Sequence, residues 1–285
     1  MSSLTDFNQY FKPLLEQSLP KGDTLLAQGM RHILRAPSQL FRPQLVYAVN
    51  QCFHGEKQRA NGGALAVEYI HSFSLVHDDL PDMDNATMRR SEPCVHTIYG
   101  NGQGILIGDA LLCEAYSHIT HDQNPPQTQI KMLQALMKAA GYEGMTQGQS
   151  LDIQPPKDQA AWQSCYELKT GALFGACCVI GALSADIEDT QLLFQLEQLG
   201  LKIGLCYQLQ DDLLDVNLMP SGKDKHLDQH NYTQFLGTKA AQILLEQEQQ
   251  QTLNIIQSFP NPEPFLGLIQ HIYSRLCLTS VKNSS

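Results

Sequence analysis

One all-α domain is the fold class the sequence predicts, and three observations carry that prediction. Apolar residues recur at helical spacing over long runs, strand-like alternation is scarce, and proline or glycine interrupts the chain at intervals suited to helices. With 285 residues, 42% of them apolar and 7% aromatic, the chain can bury a substantial core built from helices rather than a sheet.

The elements follow from that punctuation. Helices are expected near residues 4–18, 22–35 and 43–53, with Pro37 and Pro43 marking the break before the third. The next, near 60–80, carries Leu65, Val67, Leu75 and Val76, and Pro81 disfavours helix at Leu80. A helix near 104–119 ends before Asn124-Pro-Pro, and one near 128–152 ends before Gln154-Pro-Pro. Two long apolar runs predict helices near 159–184 and 188–215, the second followed by Met219-Pro-Ser-Gly. Near 233–258, Ala241, Leu244, Leu245, Leu253 and Ile256 keep helical spacing, so the glutamine-rich stretch 247–251 reads as a solvated face. Pro260-Asn-Pro-Glu-Pro264 introduces a last helix near 264–280. No low-complexity linker separates two halves, and residues 1–285 are expected to form one domain.

A net charge of −10 argues against nucleic acid or an anionic membrane surface as partner. An acidic protein that binds an anionic substrate needs metal to invert the local sign. The eight cysteines, at 52, 94, 113, 165, 177, 178, 206 and 277, lack metal-ligand spacing and are expected to be small buried hydrophobes. There is no signal-peptide pattern and no segment is expected to reach the roughly 20 apolar residues that span a bilayer, so a soluble cytoplasmic protein without membrane insertion is expected.

Chemistry concentrates in two acidic segments, Val76-His-Asp78-Asp79-Leu-Pro-Asp82-Met-Asp84 and Leu209-Gln-Asp211-Asp212-Leu-Leu-Asp215. They lie too far apart in sequence for a local loop and suit two walls of one cavity. A single aspartate pair is what a solvated helix end carries. Two matched clusters in an otherwise apolar helical chain would repel each other unless a cation sat between them. Their hard oxygen ligands fit Mg²⁺, which keeps several waters and is usually shared with substrate phosphates. His71, Ser74 and Asp78 follow 3-then-4 spacing on one helix face, as do Gln208, Asp211 and Asp215 on another. Beyond Pro81 the chain can bend Asp84 back toward Asp78. Gly200 and Gly204, one turn apart, serve either close helix packing or a ligand.

These segments resemble the short-chain trans-polyprenyl diphosphate synthases, most closely the bacterial farnesyl diphosphate synthases. That family carries Asp-Asp-x-x-x-x-Asp followed by Arg-Arg, and then Asp-Asp-x-x-Asp. Here these read Asp78-Asp79-Leu-Pro-Asp-Met-Asp84, Arg89-Arg90 and Asp211-Asp212-Leu-Leu-Asp215. Gly108-Asp-Ala-Leu-Leu112, Gly148-Gln149 with Asp152, Lys169-Thr170-Gly171 and Tyr207-Gln208 also match, over roughly residues 36 to 237. The resemblance implies an isoprenoid-synthase-type helical bundle around a deep central cavity, usually a homodimer. It implies Mg²⁺ held by Asp78, Asp84, Asp211 and Asp215. Arg89, Lys169 and Gln208, with Thr170 beside them, would meet the diphosphate of an allylic substrate. Arg42, His71 and Arg90 would bind the diphosphate of isopentenyl diphosphate. Phe73, five residues before Asp78, would floor the cavity and stop the product at fifteen carbons.

Three departures stand against that pattern. Gln39 replaces the family's lysine for isopentenyl diphosphate in Gln39-Leu-Phe-Arg42-Pro43, and Leu40 replaces an arginine. A lost charge-assisted hydrogen bond costs about 1.5–3 kcal/mol, roughly 10- to 150-fold in affinity. Arg31 or Arg35 is the available substitute. Ser91 stands where a glycine follows the arginine pair, and the loop after Asp215 is short. The expected activity is condensation of isopentenyl diphosphate with dimethylallyl or geranyl diphosphate to farnesyl diphosphate. A geranyl or geranylgeranyl diphosphate synthase, or a non-catalytic partner subunit of another prenyl synthase, is the alternative.

Overall fold

A computed structural model describes residues 4–154, 156–218 and 231–274, and these form the predicted helical fold with one two-stranded exception. Helices α1 (Leu4–Ser18), α2 (Leu25–Arg35) and α3 (Phe41–Cys52) lead, through a short 3₁₀ turn, into α4 (Asn61–Asp78). Two short strands, β1 (Met88–Arg89) and β2 (Glu92–Pro93), pair antiparallel before α5 (Val95–Tyr99) and α6 (Asn101–Thr120). Then come α7 (Pro126–Ala140), α8 (Met145–Ile153), α9 (Gln159–Tyr166) and α10 (Ala172–Leu183), the last two joined by a π-helical turn at Glu167–Gly171. Helices α11 (Thr190–Leu218), α12 (Tyr232–Leu236), α13 (Thr238–Gln257) and α14 (Glu263–Tyr273) complete the bundle.

Centrality follows from the apolar pattern. Helix α4 is buried on every face from Gly62 to Ile70, and α10 on nearly every face from Leu173 to Leu183, the mark of core helices rather than amphipathic ones. Helix α4 packs on α3, α6 and α10, and α10 packs on α3, α7 and α11, so α4 and α11, the two helices that carry the acidic segments, both pack against α10. Local capping sharpens the ends: Thr24 accepts from the Ala27 N–H at 3.2 Å and Asp158 from the Ala161 N–H at 2.9 Å.

Several expected helices are divided. The run 128–152 breaks at Gly141 and Gly144, where a Cβ would lie 2.8 Å and 2.1 Å from backbone oxygens of α7. The run 159–184 contains the π-helical turn, and 233–258 breaks at Gly237, whose φ of 80° places it in the left-handed region. Six of the cysteines are buried, but Cys113 is exposed on α6, against expectation, because its position faces outward from the bundle; Cys277 lies outside the described residues. Contrary to the sequence estimate, Gln159–Leu183 is long and apolar enough to cross a membrane. Its apolar character has a different use here, since 72% of that window is buried inside the bundle.

The two glycines of α11 serve packing. A Cβ on Gly204 would lie 2.4 Å from the Gly171 Cα, and one on Gly200 2.4 Å from the Gly175 Cα. Backbone cannot yield as a side chain can, so Gly204→Ala should destabilise the fold by about 1–3 kcal/mol. Gly267 in α14 has open space around it, and Gly267→Ala should instead stabilise by about 0.5–1 kcal/mol. Urea denaturation of the two variants checks the opposite signs.

Candidate active site

The first wall is the C-terminal half of α4. His71, Ser74 and Asp78 share a face, as their spacing predicts, and all three line a cavity of about 670 Å³ together with Phe73. The chain then turns back on itself. The Asp84 N–H donates to the Asp78 carbonyl at 2.8 Å, which returns Asp84 to the same cavity. Burial pushes the Asp78 carboxyl up to about 6 against the pull of Lys169, and Asp84 adds to the rise. Asp79 points the other way. Successive helical residues stand about 100° apart, so a neighbouring pair cannot both face one cavity. Asp79 is 1% exposed and accepts from Arg89 through Nε and Nη2, both at 2.6 Å, which aims Arg89 along the cavity wall.

The second wall repeats this division on α11. Gln208 and Asp211 line the cavity, whereas Asp212 is buried and accepts from the Tyr166 hydroxyl at 2.6 Å and from Gln208 Nε2 at 3.2 Å. A carboxylate only accepts, so the Gln208 amide nitrogen faces Asp212 and its oxygen takes the Thr170 hydroxyl at 3.1 Å. The Tyr166 hydroxyl also accepts from the Tyr232 N–H at 3.0 Å, tying α12 to this wall. Asp215 lies on α11, but its side chain falls outside the described residues.

Lys169 and Thr170 reach the cavity from the π-helical turn between α9 and α10. Such turns interrupt the regular hydrogen-bond ladder and often occur where a side chain must be re-aimed. Gly148 permits the close approach: a Cβ there would lie 2.2 Å from the Lys169 nitrogen. Lys169 pairs with Asp152 of α8. Burial works against its ammonium, but Asp152, supported by Asp78 and Asp84, carries it above the usual lysine range.

A second cluster adjoins the first. Arg42 Nη1 and Arg90 Nη2 lie 3.3 Å and 3.1 Å from His71 Nε2. Guanidinium groups only donate, so that nitrogen carries a lone pair and His71 is neutral, with its proton on Nδ1. Burial, and then Arg42 and Arg90, hold it well below its usual range. Arg42 also stacks over Phe174 at 4.8 Å. Arg42, His71 and Arg90 line both the main cavity and an adjoining one of about 320 Å³. Gln39 lines the adjoining cavity and not the main one.

The substitutes for a lysine at 39 are committed elsewhere. Arg31 donates to the Pro20 and Gly22 carbonyls at 2.8 Å and 2.7 Å, and Arg35 pairs with Glu16. The Ser91 departure has a backbone consequence. Arg90 and Ser91 form the two-residue turn between β1 and β2 with φ of 53° and 67°. Glycine is favoured at the second position of such a turn, and a side chain there strains it.

Among the described residues no cluster of three or more metal-ligating side chains is preformed. Asp78 and Asp84 on one wall and Asp211 on the other nevertheless line a single cavity, and their hard carboxylate oxygens suit Mg²⁺. An ion that takes its remaining ligands from water and phosphate needs no closed protein cage.

Sequence reasoning assigned no role to Asp79, Tyr166, Asp212 or Glu68. The Asp-Asp doublets were a usable signal, because helical angle alone sends one member of each pair away from the cavity. The signal for Glu68 was a lone carboxylate three residues before His71, within an apolar run and on the same face.

Comparison with known proteins agrees with this geometry. The family model described as polyprenyl synthetase matches residues 23–264. The farnesyl diphosphate synthase of Escherichia coli is 34% identical over 276 residues, covering 90% of this chain and 91% of that protein. The chloroplastic geranylgeranyl pyrophosphate synthase of Capsicum annuum is 31% identical and covers 93% of this chain and 75% of that protein. The crystal structure of a geranyltransferase from Helicobacter pylori, complexed with magnesium and isoprenyl diphosphate, superposes with a TM-score of 0.81 at 29% identity. It covers 98% of this chain and 96% of that one.

Proposed function

The chain belongs to the polyprenyl synthetase family, and we propose that it condenses isopentenyl diphosphate with dimethylallyl or geranyl diphosphate in the cavity between the two aspartate walls. It is a prenyltransferase that makes farnesyl diphosphate. The observation that carries the site assignment is the convergence of Asp78, Asp84, Asp211, Arg89 and Lys169 on one cavity.

Each group has a role that its surroundings support. Asp78, Asp84 and Asp211, with Asp215 on the same helix, would hold Mg²⁺. The metal supplies positive charge to the oxygens of a departing diphosphate. Arg89, held by Asp79, and Lys169, held by Asp152, present fixed cations to that leaving group. Gln208 and Thr170, bonded to each other, shape the wall beside it. Preorganised charge of this kind acts strongly in a cavity that excludes water. Arg42, Arg90 and neutral His71 would hold the diphosphate of isopentenyl diphosphate at the adjoining site.

The allylic C1–O bond breaks with its electron pair leaving on the diphosphate. The homoallylic double bond attacks C1, and a proton is lost from the joined skeleton. No Ser/His/Asp triad is required. We further propose that the chain resides in the cytoplasm and that it works as a homodimer, the dimer being supported by large apolar side chains left exposed on α5 and α6, among them Ile98, Ile105 and Leu106.

Purified protein given Mg²⁺, geranyl diphosphate and isopentenyl diphosphate should yield farnesyl diphosphate by product chromatography. Geranylgeranyl diphosphate as the main product would favour the plant-enzyme resemblance. No condensation would favour a partner subunit, the reading that Gln39 supports.

Gln39 supplies a second test. It is exposed at the adjoining cavity, where a lysine would face the diphosphate held by Arg42 and Arg90. Gln39→Lys should lower KM for isopentenyl diphosphate by about 10-fold or more, with the turnover number and the allylic KM changed far less. Steady-state kinetics with each substrate varied in turn checks this. Equal changes in both constants would place Gln39 outside that subsite.

A further inference from the structure

Behind the adjoining diphosphate site lies a carboxyl group that prenyl transfer itself does not use. Glu68 sits one helical turn before His71 on α4 and is 3% exposed. It lines the adjoining cavity with Gln39, Arg42, His71 and Arg90. Its carboxyl is poorly served. The Ser38 hydroxyl donates to Oε1 at 3.5 Å, the outer limit of a hydrogen bond, and Oε2 is buried without a partner. A buried ionised carboxylate in that state is costly unless cations stand close. Here Arg42 and Arg90 stand close enough to act on it by charge while their Nη atoms engage His71.

On the reading of this site as the isopentenyl diphosphate subsite, we propose that Glu68 is a positioning residue that competes with the bound diphosphate for Arg42 and Arg90, so that filling the subsite draws a proton onto Glu68. With Glu68 ionised, the two guanidiniums and the carboxylate leave the subsite one net positive charge. With Glu68 protonated the subsite has two. Because Gln39 brings no charge, that single proton is a large share of the attraction. The arriving diphosphate also engages the guanidiniums that stabilise the Glu68 anion, and its own negative charge disfavours that anion further.

The surrounding groups leave Glu68 as the titrating partner. Arg42 faces it from α3, Arg90 from the β1–β2 turn, His71 from its own helix, Cys177 from α10 and Tyr207 from α11. His71 is held neutral, and burial pushes the Cys177 thiol up to about 12. For Glu68 itself, burial raises the carboxyl to about 7 against the pull of Arg90, Arg42 and the Ser38 hydroxyl. Near neutral pH it is therefore partly ionised before the ligand arrives, and binding raises its proton affinity further.

Calorimetric titration with isopentenyl diphosphate at pH 7.5, without added divalent metal and in two buffers of different ionisation enthalpy, counts the protons exchanged. We expect uptake of about half a proton or more per site. The ligand cannot supply that sign, because a cationic site favours its most ionised form and so releases protons. Glu68→Gln should abolish the uptake. Between pH 6 and 8 the wild-type to Glu68→Gln ratio of KM for isopentenyl diphosphate should rise several-fold, while the corresponding ratio for geranyl diphosphate stays flat. If Glu68→Gln fails to fold, the wild-type proton count decides. Isopentenyl diphosphate that binds and condenses with no net uptake overturns this proposal alone. Failure to bind and to condense overturns the substrate reading as well.

Discussion

Asp78→Asn and Asp211→Asn should each keep the helical fold and lose most turnover, by about 10²–10³-fold. The substitution keeps volume and removes the negative charge that a hard cation requires. Asp78 is the last residue of α4 and Asp211 lies on the cavity face of α11, and neither packs in the apolar core. Far-ultraviolet dichroism should therefore match wild type while kcat collapses at ordinary Mg²⁺. Asp79→Asn and Asp212→Asn should behave differently. Their carboxylates hold Arg89 and Tyr166 rather than facing the cavity, so the Mg²⁺ concentration giving half-maximal rate should move little. A near wild-type rate for Asp78→Asn would remove the metal role from the first wall.

Phe73→Ala should change what the enzyme makes rather than how fast it works. Phe73 is half-buried five residues before Asp78, about 7.5 Å along the helix at 1.5 Å per residue, and it lines the same cavity. Its ring packs edge-on against His77 with centroids 5.1 Å apart, which fixes it as a wall rather than a swinging side chain. Ser74 lines the cavity too, but its hydroxyl turns back to the His71 carbonyl at 3.0 Å and it is too small to floor a prenyl chain. Removing the ring opens space beneath the growing tail, and products of twenty carbons or more should appear by chromatography. A stable, active variant that still stops at fifteen carbons would show that another residue sets the floor.

Much of this site was legible in the sequence because helical periodicity is a strong constraint. Spacing of three and four places His71, Ser74 and Asp78 on one face, and Gln208 and Asp211 on another. What escaped is set by tertiary contact. The π-helical turn that aims Lys169 leaves the apolar pattern of 159–184 unbroken and depends on Gly148 meeting its backbone. The β1–β2 turn that presents Arg90 pairs only two residues on each strand, too few to show alternation. Gly141 and Gly144 sat inside a periodic run whose pattern continued past them. The partners of the cations, Asp79 for Arg89 and Asp152 for Lys169, follow only from how α4, α8 and the turns meet.

The most direct test of the two-walled site is to locate the metal. Crystals of the protein grown with Mn²⁺ and a non-hydrolysable geranyl diphosphate analogue should show anomalous peaks beside Asp78 and Asp84 and beside Asp211, with the analogue's diphosphate between the two walls. Diphosphate bound in the cavity without metal at either wall, or metal bound only outside it, would contradict the account.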